Sequence, residues 1–155
     1  MKELFNNYST IIVVLHVMSA VVWVGGMIAI RGAVHPSLQS IEDGKIKLGK
    51  TLEIVGRLFK IVMPFIVISL VTAIIMIIAL GLKGGAVYTK EAIWTIMTLN
   101  YSFMYYKRAK AQKLFNEGKL AEAKAEAKPL PNLLLPINIV LGIIAIVLGV
   151  TIRGY

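Results

Sequence analysis

Four long apolar runs, at residues 11–30, 61–82, 92–106 and 133–152, dominate the pattern of hydrophobic and polar positions along this chain. Many of their residues are β-branched, but the runs are longer than ordinary strands and do not alternate with a period of two, so helices are predicted. About 20 apolar residues are enough to cross a hydrocarbon core of about 30 Å. The pattern therefore predicts an all-α, polytopic membrane protein with a four-transmembrane-helix bundle.

The expected organisation is a single membrane domain over residues 1–155, with spans at about 9–32, 56–82, 89–108 and 131–152. The third span is the most polar, and we expect its neighbours to shield it from lipid. Its polar residues include Thr95, Thr98, Asn100, Tyr101 and Ser102. The first span is expected to stay in place, because no basic flank precedes a short apolar core with a cleavage site.

Two segments between the spans have recognisable signals. The sequence His35-Pro36 predicts a break after the first span. Residues 107–130 predict a basic helical hairpin, in which Asn116-Glu117-Gly118 forms the turn before an Ala/Glu/Lys-rich helix. The basic face of this hairpin suits anionic lipid head groups, and the alternative is a hairpin that is simply solvated.

Composition supports a membrane protein, since 57% of residues are hydrophobic and the mean hydropathy is +0.77. The net charge of +9 does not indicate nucleic-acid binding, because the basic residues cluster between the apolar runs. Segments 31–60 and 107–128 contain thirteen of the 17 lysines and arginines. The others are Lys2, Lys83, Lys90 and Arg153. This split predicts that the first and third connections face the cytoplasm and that both termini lie outside. The expected location is a bacterial or archaeal cytoplasmic (inner) membrane.

The most informative polar residue is His16, which lies about 10 Å below the outer surface of the predicted first span. Ionisable side chains inside a bilayer are candidates for function. Ser19, Ala20 and Trp23 share its helix face, where the small residues leave room for a flat cofactor and Trp23 can form a wall. Two interpretations remain open: a cofactor ligand, or a histidine that is hydrogen-bonded to a neighbouring helix.

The second histidine, His35, is about 28 Å from His16 along a continuous helix. One metal or one haem therefore cannot bind to both histidines of the same chain. His35 and Arg31 lie at the cytoplasmic edge, where basic side chains are favoured at the end of a helix.

Other candidates for the site were selected by depth and charge. Met76 and Met97 are predicted at nearly the depth of His16, so either thioether is a candidate metal ligand, with membrane packing as the alternative. Lys90 begins the third span and suits a carboxylate, or simply extends to the interface. Arg57 suits a propionate or a lipid phosphate, and we expect Asn138 to lie opposite Asn100 and Tyr101 in interhelical hydrogen bonds.

Several of these segments resemble the HemJ-type protoporphyrinogen oxidases and the related CopD-type membrane domains. The resemblance lies in LHVMSAVVWVGG at 15–26 with Arg31 and His35 behind it, in GRLFKIVMPFIVISLVTAIIMI at 56–77, and in Lys90 at the start of the third helix. Three departures are visible. Arg31 and His35 are one residue closer together than in that family, Asn100-Tyr101 replaces a Tyr-His pair, and the basic hairpin is longer.

The resemblance implies a b-type haem with His16 as its ligand and Lys90 as the second essential position. The expected function is thus a haem-binding membrane redox protein, an oxidoreductase that acts on a porphyrin and passes electrons to quinone. Copper handling of the CopD kind, through His16 and the methionines, is the alternative. A third interpretation is a structural subunit of a larger complex, and a homo-oligomer is also compatible with the sequence.

Overall fold

A computed structural model describes residues 1–152 as four helices. They are α1 (Lys2–Gln39), α2 (Gly44–Leu80), α3 (Gly85–Asn116) and α4 (Leu120–Ile152). The described residues contain no strand. The all-α four-helix membrane bundle is thereby confirmed. Arg153, one of the four cations counted on the outer side, lies outside the described residues.

Helix α1 is continuous through His35-Pro36, so the predicted break at this point is wrong. A wider, π-type turn at Ile30–Val34 ends two residues before the proline. We attribute the continuity to this turn, because its geometry accommodates a residue that has no N–H to donate. A second π-type turn, Val21–Gly25, lies in the middle of α1 and contains Trp23.

Short connections join the helices at alternating ends. Asp43 accepts hydrogen bonds from the N–H groups of Lys45 and Ile46 and so caps α2. Gly118, with φ of 79°, forms the turn between α3 and α4, and this confirms the turn predicted there. We call the end with residues 40–43 and 117–119 the basic end, and the end with the N-terminus and residues 81–84 the terminal end.

Three helices, α1, α2 and α4, are long and apolar enough to cross a membrane. Helix α3 is more polar, as its sequence predicted. It lies alongside both α2 and α4. Its side chains contact α2 at Ser69 and at Leu52, and contact α4 at Asn138. Helix α3 therefore packs beside α2 and α4, and the polar side chains that make these contacts face the two neighbouring helices.

The helices are longer than a membrane requires. The 37 residues of α2 extend over about 55 Å, compared with about 30 Å for the hydrocarbon core. The excess lies at the basic end, where the buried residues Leu52, Ala111 and Ala123 continue the core. Glu126 of α4 contacts Lys107 and Lys110 of α3 at 2.7 and 2.6 Å there. This extension includes the predicted basic hairpin.

Small residues set the spacing at the centre of the bundle. A Cβ atom added to Gly142 of α4 would lie 2.5 Å from Cγ2 of Val24 and 3.3 Å from Cε of Met97. Gly26 of α1 makes a similar approach, since a Cβ there would lie 2.8 Å from Cδ1 of Leu58. Glycine thus lets α1, α2 and α4 come close together, which is how membrane helices gain packing energy.

We expect Gly142→Ala to lower the free energy of unfolding by about 1–2 kcal/mol. The added methyl group has no space beside Val24, and overpacking costs more than the helix propensity gained by alanine. Gly32→Ala is the matched control, because a Cβ at this helical position meets nothing within 4 Å. Denaturant unfolding in detergent measures both, and equal stability of the two variants would contradict the packing described.

Candidate functional site

The imidazole of His16 lies half-buried between α1 and α2. Its Nδ1 atom is 3.0 Å from the hydroxyl oxygen of Thr72 and 3.2 Å from the backbone carbonyl oxygen of Ser69. Both contacts come from α2. The Nδ1 contacts therefore hold the ring of His16 against α2, as the hydrogen-bonding interpretation of the sequence required.

The contacts of Ser69 extend this connection to a third helix. The hydroxyl of Ser69 donates to the carbonyl of Ile66 at 2.8 Å and accepts from the indole Nε1 of Trp94 at 3.1 Å. Helices α1, α2 and α3 are thus joined at one level through His16, Ser69 and Trp94. We did not predict Ser69, Thr72 or Trp94 from the sequence. Two hydroxyl residues three positions apart in an otherwise apolar run were the signal available.

Ser19 and Trp23, the predicted pocket residues, are both in the packed interior. Ser19 is fully buried and donates to the carbonyl of Leu15 at 2.7 Å. Trp23 is 3% exposed and meets the ring of Tyr101 edge-on, with centroids 6.4 Å apart. The Nε1 atom of Trp23 has no hydrogen-bond partner within residues 1–152. A buried indole N–H normally has a hydrogen-bond acceptor, so the N–H group of Trp23 is unusual in having none among residues 1–152.

The two methionines differ in their relation to His16. Met76 follows Thr72 by one turn of α2, so it is about 6 Å closer to the terminal end. Met97 is buried between α3 and α4, and its methyl group points to the space beside Gly142 and Val24. Val24 is about 12 Å from His16 along α1. The structure therefore places Met76 nearer to His16 than Met97.

The two predicted cationic residues lie far apart. Lys90 is half-buried near the terminal end, and its ammonium group approaches α4 so closely that a Cβ at Gly149 would lie 2.6 Å from Nζ. It begins the turn of α3 that contains Trp94. Arg57, in contrast, is 76% exposed near the basic end and pairs with Glu53 at 2.7 Å. Only Lys90 is near the level of His16.

Three polar side chains of α3, at intervals of seven residues, bridge to α2. Besides Trp94, Tyr101 donates to the carbonyl of Phe59 at 2.6 Å and Nε of Arg108 donates to the carbonyl of Leu52 at 3.0 Å. The guanidinium group of Arg108 fills the space over Gly56, where a Cβ would collide with it. Seven residues are about two helical turns, so the three side chains share one face.

Helices α3 and α4 are joined by a pair of asparagines. The Asn100 amide donates to Oδ1 of Asn138 at 2.7 Å and to the carbonyl of Leu134 at 2.8 Å, and the Asn138 amide donates to the carbonyl of Met97 at 3.1 Å. Asn138 is fully buried. The predicted interhelical hydrogen bonds of Asn100 and Asn138 are confirmed.

His35 belongs to a different region from His16. Both lie on the continuous helix α1, and the ring of His35 is 3.3 Å from the side-chain amide of Gln39. Among residues 1–152, no three histidine or acidic side chains form a group that could hold a metal ion. His16, with its α2 partners, and Lys90 are therefore the candidate functional residues that lie at a similar depth in the bundle.

We expect Asn138→Ala to lower the free energy of unfolding by about 1–2 kcal/mol, because it leaves the Asn100 amide and the Met97 carbonyl with fewer partners in an apolar interior. Asn132→Ala is the matched control on the same helix, since Asn132 is exposed and donates only to the carbonyl of Lys128. The free energy of unfolding of both variants and of the wild type is measured in mixed detergent. If both substitutions have the same effect, the asparagine pair does not stabilise the bundle.

Comparisons of this chain with family models, with curated proteins and with solved structures find no match. The resemblance to HemJ-type and CopD-type proteins therefore stays a prediction from short segments. The contacts around His16 and the position of Lys90 are the observations on which a function can be based.

Proposed function

We propose that this chain is an integral membrane redox protein that binds haem b with His16 as an axial ligand. The observation that supports this most directly is the anchoring of the imidazole ring through Nδ1 to Thr72 and Ser69. Ligating histidines are typically held in this way, because a hydrogen bond at one nitrogen orients the other one towards the metal.

The groups near His16 fit such a cofactor in two respects. An imidazole nitrogen is a common axial ligand, and the apolar surroundings between α1 and α2 suit a macrocycle. The buried Nε1 donor of Trp23, about 10 Å from His16 along α1, would be satisfied by an acceptor on a bound group. When bound, the haem supplies one-electron transfer. His16 would hold it, and the buried side chains of Ser19 and Trp23 follow His16 on the same helix.

Lys90 is proposed as the residue that binds the substrate. Its ammonium group is near the terminal end, about one helical turn beyond Trp94 and thus beyond the level of His16. A cation in a partly apolar site favours a carboxylate, as on the side chains of a porphyrin. The proposed reaction is the oxidation of a porphyrinogen-like substrate, with quinone as the electron acceptor. Arg57 is assigned to the basic end, where a lipid phosphate is a more accessible partner than the haem.

The proposed location is a bacterial or archaeal cytoplasmic membrane, with the basic end in the cytoplasm and both termini outside. The supporting feature is the basic helical extension, because a solvated cationic segment is rarely translocated. In this orientation His16 and Lys90 are closer to the outer surface, where a substrate or quinone would arrive through the membrane layer.

For the haem, we expect purified protein to show a Soret band that His16→Ala abolishes, because the variant removes the ligand nitrogen. His35→Ala is the matched control and should retain the band, since His35 lies in the last turn of α1 near the basic end. Absorption spectra of oxidised and reduced protein in detergent make the measurement. A colourless wild-type protein, or an unchanged band in His16→Ala, would overturn the proposal. A colourless protein that binds Cu(I) would support copper handling.

For Lys90, we expect Lys90→Gln to lower the rate of porphyrinogen oxidation by about 10- to 100-fold while the Soret band remains, because a hydrogen bond to a charged group contributes about 1.5–3 kcal/mol. Lys83→Gln, in the exposed 81–84 connection, is the control for a general change of charge. The assay follows porphyrin fluorescence with reconstituted protein and a quinone. An equal rate for Lys90→Gln and wild type would remove Lys90 from the mechanism.

A further inference from the structure

The hydrogen-bond partners of His16 determine which of its two nitrogens carries the proton. The carbonyl oxygen of Ser69, 3.2 Å from Nδ1, can only accept a hydrogen bond. An unprotonated Nδ1 would direct its lone pair at the lone pairs of this oxygen. The contact with Ser69 therefore favours a protonated Nδ1, which donates.

The hydroxyl of Thr72 leads to the same assignment. A threonine has one hydroxyl hydrogen, and the Thr72 oxygen lies 2.7 Å from the carbonyl of Ile68 and 3.1 Å from that of Ser69. A carbonyl oxygen can only accept, so the hydroxyl hydrogen of Thr72 is directed along its own helix. A lone pair of the Thr72 oxygen then faces Nδ1 of His16 at 3.0 Å.

We propose that Thr72 and the carbonyl of Ser69 are positioning groups that hold neutral His16 as the Nδ1–H tautomer, so that Nε2 is the nitrogen with the lone pair for a metal. As a statement about ligation, this rests on the haem function proposed above. The assignment of the proton rests on the two contacts of Nδ1 with α2. A hydrogen bond from Nδ1 also makes Nε2 more electron-donating and a stronger ligand.

The hydroxyl of Ser69 is separate from this arrangement. It accepts from Trp94 and donates to Ile66, whereas His16 is bound by the Ser69 backbone. Ser69→Ala therefore removes a neighbouring polar group without removing either acceptor of Nδ1. It is a matched control for Thr72→Val, which keeps the shape of the side chain and removes an acceptor.

The experiment is nitrogen NMR of protein labelled with ¹⁵N-histidine, in detergent and without haem, at alkaline pH where imidazole is neutral. The chain has only two histidines, so His35→Gln assigns the signals. We expect a protonated Nδ1 and an unprotonated Nε2 for His16. We expect Thr72→Val to lower the ratio of the Nδ1–H to the Nε2–H form about fivefold, as loss of one hydrogen bond implies. Thr72→Ser and Ser69→Ala should leave this ratio unchanged.

A second measurement is haem titration of the same variants. Thr72→Val should weaken haem binding about tenfold, which is the usual loss when the partner of a ligating histidine is removed, and Thr72→Ser should restore it. A wild-type His16 protonated at Nε2, or equal tautomer ratios in wild type and Thr72→Val, overturns this inference whatever the absorption spectrum shows. The absence of a Soret band overturns the haem proposal whatever the tautomer is, so the two failures are distinguishable.

Discussion

The lack of water inside a bilayer is the constraint on which this bundle depends. A polar side chain there must find its partner on a neighbouring helix, and each pair of sequential helices has such a contact. His16 joins α1 to α2, Trp94 joins α3 to α2, and Asn100 with Asn138 joins α3 to α4. These bonds set the vertical register of the helices, because each donor must be level with its acceptor. Apolar packing alone would allow the helices to slide along one another.

Glycine and long polar side chains act together in this arrangement. Gly26 and Gly142 let the helices approach closely at the centre, while Gly56 leaves space for the guanidinium group of Arg108 at the basic end. His16 is held separately, by the contacts of its Nδ1 atom with Thr72 and the Ser69 carbonyl. A site that must hold a rigid cofactor benefits from such support, since a ligand that shifts between positions loses affinity.

The two ends of the molecule carry different chemistry. The basic end is a helical extension with its own buried residues and ion pairs, such as Glu126 with Lys107 and Lys110. The proposed site is nearer the terminal end, where His16 and Lys90 lie within about two helical turns of the level of Trp94 and Ser69. Any partner that binds the extension would therefore be remote from the proposed redox centre, and Arg57 belongs to that remote part.

The sequence by itself determined the four helices, the turn at Gly118, the separation of His16 from His35 and the pairing of Asn100 with Asn138. Run length, turn residues and depth are enough for these features, because they depend on position along the chain. Only the tertiary structure decided which face of each helix turns inward. The lipid-facing and core-facing sides of α2 are both apolar, so hydropathy does not distinguish them, and Ser69 and Thr72 could not be assigned to His16. The continuity of α1 through Pro36 was likewise decided by the wider turn before it, which has no clear signal in the sequence.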